Sequence, residues 1–170
     1  MDAAILFSDL LLPLAPLGIP FDFHKGEGPV IEKPVRSSAD VDALRRFEPR
    51  DALGDVLQAI RLLRRELTGP LIGFAGVPFT LASHAIEGGH SSNFGLTKSM
   101  MYGDTAAWHR LAGLLADVVA DYLVAQVEAG AQALQVSTPG SAPSTKPTTA
   151  SWCCPTCARS SSACGRRVSR

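Results

Sequence analysis

No stretch of this 170-residue chain approaches the ~20 consecutive apolar residues that a membrane-spanning helix needs. The N-terminus lacks the basic segment that opens a secretory signal. No sign of charge dominates: 16 Lys and Arg face 16 Asp and Glu. A net charge of zero gives no strong pull toward nucleic acid or an anionic membrane. Cysteine is missing from the first 152 residues, so no disulfide framework can organise them. Acidic residues are missing after Glu128. By default these absences place the protein in the cytoplasm. What remains, at 46% apolar and 19% charged, has the composition of an ordinary globular domain.

The apolar run Ala3–Phe7, closed by Ser8 and Asp9, opens the chain. A short run without alternation predicts a strand buried on both faces, as in a parallel sheet. A carboxylate at the C-terminal end of such a strand stands where α/β sheets and barrels place ligand chemistry. Asp is equally a favoured N-cap, so Asp9 reads as a cap or as a site residue with even weight. A buried strand this close to Met1 is unusual, because termini tend to be exposed, and predicts that further chain normally precedes it.

Leu10–Leu17 predicts a short helix interrupted by Pro13 and Pro16. Phe21–His24 alternates, Gly26-Glu27-Gly28-Pro29 is turn chemistry, and Val30, Ile31 and Val35 suit a returning strand. His24 has no partner in the pattern and reads as a surface residue. Gly26 and Gly28 lack the strand–loop–helix context of a phosphate loop. Ser37 to Asp40 opens a short capped helix, and Pro49 starts a second one. Leu53, Val56, Leu57, Ile60, Leu63 and Leu67 form one apolar stripe on it. Arg61, Arg64 and Arg65 read as a solvated face near its C-terminus, with Gly69 as the stop.

Pro70–Gly76 is the second buried strand, at crossover distance from the first. Past its end come Thr80 or Ser83 as caps of a short helix, His84, Glu87, and Gly88-Gly89 as its stop. If the two strands are parallel neighbours, Asp9 and the 76–89 segment share one end of the sheet. Asn93–Tyr102 predicts a helix with Gly103 as its stop, and Asp104 or Thr105 caps a long one. The stripe from Leu111 to Val127 packs on the sheet, and Gly130 ends it. Trp108 and His109 read as packing or surface residues. Ala131–Val136 is a third strand.

Several blocks match one family in order. They are Asp-Ala-Ala-Ile-Leu-Phe-Ser-Asp at 2–9, Gly-Glu-Gly-Pro at 26–29 and Pro-Leu-Ile-Gly-Phe-Ala-Gly-Val-Pro-Phe-Thr-Leu-Ala-Ser at 70–83. Ile-Glu-Gly-Gly at 86–89, Lys98 with Met100-Met101-Tyr102, and Ala-Gly-Ala-Gln-Ala-Leu-Gln-Val at 129–136 continue it. Residues 2–136 closely resemble uroporphyrinogen decarboxylase. The resemblance implies an α/β fold, a partial (β/α)8 TIM barrel with roughly the first three strands over residues 1–136. It implies a homodimer, and neither metal nor organic cofactor. The implied reaction removes CO2 from the four acetate side chains of uroporphyrinogen III to give coproporphyrinogen III, on the way to haem.

By the same resemblance Asp9 is the central substrate ligand. A carboxylate has about four lone-pair sites and can accept several converging pyrrole N–H groups. Its charge also stabilises the protonated pyrrole through which decarboxylation passes. Phe7, Ser8 and Phe74 occupy cleft-lining positions, although an aromatic such as Phe74 on a buried strand is more often core. His84 stands where the family usually has a tyrosine, and an imidazole can also donate to a substrate carboxylate. The family's N-terminal arginine segment and its later Ser or Thr and His have no counterpart here.

Segment 137–170 changes character to Ser, Thr, Pro, Cys and Arg, with no apolar period, and predicts disorder. All four cysteines, Cys153, Cys154, Cys157 and Cys164, lie in it. Cys154 and Cys157 have zinc-knuckle or redox spacing, but no second ligand pair completes a site. Read with the third base of each codon joined to the first two of the next, residues 136–144 can encode Phe-Asp-Ser-Trp-Val-Gly-Ala-Leu. Further on, the shifted frame permits Asp-Glu-Ala-Asp-Tyr and Val-Val-Leu-Pro-His. The family continues in this style after Gln-Val, so the tail is expected to be out of frame. The readings that follow are a decarboxylase, an inactive fragment with about three of the barrel's eight strands, and a cobalamin-dependent methyltransferase-type barrel. The blocks at 2–9 and 70–89 disfavour the last.

Overall fold

A computed structural model describes residues 3–24, 28–89 and 91–137. Gly26, Glu27 and the cysteine-bearing segment beyond Ser137 lie outside the described residues. Three parallel strands form the organising sheet: β1 (Ala4–Ile5), β4 (Leu71–Gly76) and β5 (Ala133–Ser137), in the order β1-β4-β5. Ile72 lies between Ile5 and Ala133, and Phe74 pairs with Gln135. An antiparallel hairpin, β2 (Phe21–His24) and β3 (Gly28–Ile31), stands apart from the sheet. With its helices this is a mixed α/β fold built as part of a (β/α)8 barrel.

The helices are α1 (Ser38–Ala43), α2 (Pro49–Ala52), α3 (Gly54–Glu66), α4 (Pro78–Glu87), α5 (Gly95–Gly103) and α6 (Thr105–Ala129). The expected short capped helix is α1, and Ser37 and Asp40 make a capping box on it: the Ser37 hydroxyl accepts the Asp40 N–H and the Asp40 carboxylate accepts the Ser37 N–H. The Asp104 carboxylate accepts the Ala107 N–H at 3.0 Å and starts α6. Gly130 ends it at φ +122°. A Cβ at Gly130 would also come within 2.8 Å of Arg64 Cγ, so glycine answers both a dihedral and a contact.

The core lies on one side of the sheet. Leu57 and Ile60 of α3 pack with Leu71, Ala125, Ala129 and Ala131. A larger cluster joins Leu111, Leu115, Val118 and Tyr122 of α6 to Leu81 and Ala85 of α4, Ala75 of β4, and Leu14 and Leu17. Trp108 is buried in it and His109 is exposed. His24 is exposed as well.

Several local expectations are corrected. The segment Leu10–Leu17 forms only one 3-10 turn, Leu12–Leu14, because Pro13 and Pro16 cannot supply helical N–H donors. Val35 is buried outside the hairpin and donates its N–H to Ala85 O at 2.9 Å. The stripe after Pro49 is two helices, broken at Leu53. Gly69 is not the stop: α3 ends at Glu66, and the half-buried Arg64 guanidinium bonds the carbonyls of Leu67 and Gly69. Thr80 and Ser83 lie inside α4, which Val77 caps with Pro78 at the first position. Helix α5 starts at Gly95, after Phe94 in the left-handed region.

The first strand is corrected more deeply. Its run was expected to be buried on both faces, yet Ile5 is 45% and Phe7 76% exposed. Helices cover the face carrying Ala4, Leu6, Leu71 and Ala75. Among the described residues no layer covers the other.

Candidate functional site at the strand ends

In a parallel sheet all C-terminal strand ends lie on one edge. Here that edge holds Phe7-Ser8-Asp9 after β1, Gly76 at the end of β4 with Val77 after it, and Ser137 at the end of β5. The Val77 N–H donates to Ser137 O at 3.0 Å, which ties the second and third ends together. Gly76 ties the first and second. A Cβ there would meet Leu10 Cδ2 at 3.4 Å and Leu10 O at 3.5 Å, so the residue after Asp9 rests on β4.

Asp9 does the local task of a turn carboxylate: its Oδ1 accepts the Leu11 N–H at 2.7 Å. This fixes the orientation of the carboxylate at the start of the proline-rich turn. One oxygen is so engaged, and a carboxylate retains further lone pairs. The cap and the ligand roles are therefore compatible on one side chain.

The Phe7 ring lies over Phe74, with centroids 4.6 Å apart and planes 30° apart. Phe74 is only 3% exposed although it sits on the open face, because Phe7 covers it. Ser8 is half-buried beside Tyr122 of α6. Burial pushes the Tyr122 hydroxyl above its ordinary value, and the Ser8 side chain opposes this. The Tyr122 hydroxyl forms no hydrogen bond of regular geometry among the described residues.

His84 is half-buried on α4, with its Nδ1 at 2.9 Å from the Thr80 carbonyl one turn earlier. That contact makes Nδ1 the protonated nitrogen and leaves Nε2 for another partner. Among the described residues no hydrogen bond links His84 to Phe7, Ser8 or Asp9. Glu87 is committed elsewhere: its Oε1 accepts both the N–H and the hydroxyl of Thr97 at 2.9 Å, which joins α4 to α5. The carboxylate near the first turn of α5 is electrostatically favourable.

Sequence patterns single out Phe7, Ser8, Asp9, Phe74 and His84, of which the first four share the strand ends. They do not single out Gln126 of α6, which is 1% exposed and bonds the Phe74 backbone. Its signal is present but faint: a polar residue four after Tyr122 on the buried stripe, and Gly73 inside an apolar strand, which suggests close approach. Among the described residues no three His, Cys, Asp or Glu side chains gather as metal ligands. No described helix is long and apolar enough to cross a membrane.

Comparison with known proteins identifies relatives of the chain as a whole. The family model for uroporphyrinogen decarboxylase matches residues 1–157. A uroporphyrinogen decarboxylase of Sorangium cellulosum is 59% identical over 138 residues, covering 80% of this chain and 40% of its own. Those of Chloroflexus aurantiacus and Thermus thermophilus are 56% and 52% identical, again over 80% of this chain and about 40% of theirs. The chain thus spans about 40% of the length of these curated relatives. A solved methyltransferase from Methanosarcina mazei superposes with a TM-score of 0.74, covering 95% of this chain and 48% of its own. At 18% identity that likeness concerns the fold alone.

Proposed function

The chain belongs to the uroporphyrinogen decarboxylase family, and from that premise we propose that its strand-end edge is the tetrapyrrole site of a carboxy-lyase. The substrate is uroporphyrinogen III, and each of four acetate side chains loses CO2 to give coproporphyrinogen III. The observation that carries this reading is the orientation of Asp9. Its Oδ1 is held by Leu11 N–H, on an edge shared with the Phe7–Phe74 stack.

The chemistry needs little else from this part of the chain. The pyrrole N–H groups of a domed porphyrinogen converge on one side, and a carboxylate accepts several of them. Protonation of a pyrrole ring makes it an electron sink. The C–C bond to the acetate carboxylate then breaks, CO2 leaves, and its electron pair enters the ring. Protonation of the exocyclic carbon then completes a methyl group, and loss of the proton first added to the ring restores the pyrrole. Asp9 stabilises the ring cation throughout by its charge. Phe7 and Phe74 supply an apolar wall and Ser8 a short polar contact; His84 as an imidazolium, its Nδ1–H held by Thr80 O, has an Nε2–H to donate to a peripheral carboxylate. The active assembly is a cytoplasmic homodimer. Incubation with uroporphyrinogen III, with product separation by number of carboxyl groups, tests the reading. Seven-, six-, five- and four-carboxyl products are expected, and their absence despite binding would reject turnover by this molecule.

A second reading draws on the open face. With Ile5 and Phe7 exposed, this 170-residue molecule binds tetrapyrrole without turning it over. An out-of-frame tail, expected from the codon reading, would support it. In the shifted frame Phe replaces Ser137, whose ladder partner is Gly76, on the face of Phe7 and Phe74. Sequencing across codons 134–140 and an intact mass of the protein test the frame. A tail mass matching 137–170 over an uninterrupted gene would remove the frame argument.

A further inference from the structure

We propose that Gln126 is a positioning residue that ends the β1–β4 ladder and so turns Phe7, Ser8 and Asp9 out into the site. The inference rests on the reading of that edge as the tetrapyrrole site. Along a strand, backbone polar groups point alternately to the two sides. The Leu71 carbonyl accepts Gln132 N–H at 2.8 Å, and Val77 N–H donates to Ser137 O, so the odd residues of β4 face β5. The even positions face β1: Pro70 O accepts Ala4 N–H at 2.9 Å and Ile72 O accepts Leu6 N–H at 3.0 Å. A regular parallel ladder would continue from Phe74 to the residues after Leu6.

The ladder stops there. Phe74 N–H donates instead to Gln126 Oε1 at 2.9 Å, and Gln126 Nε2 donates to Phe74 O at 3.0 Å. One carboxamide has the donor and the acceptor that a neighbouring strand would offer. Displaced from Phe74, the β1 end bonds to itself: Ser8 N–H donates to Leu6 O at 3.0 Å, a three-residue turn centred on Phe7. That turn carries Phe7 across Phe74 and leads into the Asp9 turn. Gly73 belongs to the same device. A Cβ there would collide with Gln126 Oε1, so the amide fits only beside glycine. Gln126 is 1% exposed, and a buried amide is tolerated where its polar groups are matched, as they are at Phe74.

The test uses the 170-residue chain and three variants, with uroporphyrin as a stable octa-carboxylate probe. Gln126→Leu keeps the volume and removes both bonds. The Phe74 amide should then exchange with solvent roughly tenfold faster or more. The Phe7–Phe74 cross-peaks in NMR spectra should disappear, and uroporphyrin affinity should fall by about tenfold. Amides around Leu57 should keep their protection. Gln126→Glu adds a readout that plain packing does not move. A neutral carboxyl has one donor and one acceptor, like the amide, whereas the carboxylate has no donor. Burial raises the pKa of the introduced group, so the native behaviour should be present near pH 5 and lost by about pH 8. The unmodified chain should show no such step. Gly73→Ala should reproduce the Gln126→Leu effects by expelling the amide.

Persistence of the Phe7–Phe74 contact and of Phe74 protection in Gln126→Leu would overturn the proposal. If that variant does not fold, Gln126→Glu decides: recovery at low pH supports the role, and pH-independent behaviour refutes it. Failure of uroporphyrin to bind the unmodified chain would remove the tetrapyrrole reading alone. The exchange and cross-peak measurements would still judge Gln126.

Discussion

The two faces of one three-stranded sheet differ sharply. On the helix side Leu71 is 1% and Ala75 3% exposed, sealed by α3 and α6. On the other, Ile5 is 45% and Phe7 76% exposed, while Phe74 and Gly76 are buried. In β1 and β4 both directions are apolar, and only β5 differs, with Leu134 and Val136 on the helix side and Gln135 and Ser137 on the other, so hydrophobicity distinguishes the faces in the third strand alone. What distinguishes them is that the chain supplies its own helices for one face. The described residues supply nothing for the other, which is the face where Phe7 meets Phe74.

The comparison can be broken most forcefully by equal truncations on the two faces. Leu57→Ala should cost about 2–5 kcal/mol in urea unfolding, through lost burial and a cavity. Phe7→Ala should cost about 1 kcal/mol or less, mainly the ring stack, while weakening uroporphyrin binding. Equal losses would show that the second face is covered in solution. Asp9→Asn sharpens the functional side. It retains an oxygen for Leu11 N–H and should leave unfolding nearly unchanged. Decarboxylation, wherever it is measurable, should fall about 100-fold or more with the loss of charge.

Gly130→Ala probes the helix side at its seam. Forcing a side chain into φ +122° against Arg64 should cost about 1–3 kcal/mol in chemical denaturation. A smaller effect is expected at the α1 cap. The Ser37 hydroxyl, and then the Arg36 backbone N–H, hold the Asp40 carboxyl below its ordinary value. A lowered folded pKa contributes stability above the unfolded value near 3.8, lost as pH falls through the folded one. Ser37→Ala should cost about 1 kcal/mol near neutrality. It should also flatten the decline of stability below about pH 4, which unfolding curves across pH would reveal.

Much of this was legible in the residues themselves. Local rules suffice for the capping box at Ser37 and Asp40, the stop at Gly130, the hairpin after Phe21, and three apolar strands separated by amphipathic helices. Each depends on neighbours within a few positions, where period and turn chemistry act. The motif blocks likewise pointed to Asp9, Phe7, Ser8, Phe74 and His84. Other features escaped for the opposite reason. Nothing local distinguishes Ile5 from Leu6, although one is half-exposed and the other packs under α3. The pattern placed Glu87 only among the polar groups past the second strand, and Thr97, ten positions on, takes up its oxygen.

The sequence by itself therefore determined most of the elements, their order, and the family. Propensity, capping and motif spacing are properties of short stretches. Tertiary structure alone decided which face of the sheet is sealed and where β1 leaves β4. Both depend on residues far apart in the chain. Gln126 reaches the Phe74 backbone across 52 positions, through space that Gly73 leaves empty. Only a folded chain can substitute a side-chain amide for a strand, and that substitution stands where the β1–β4 ladder ends.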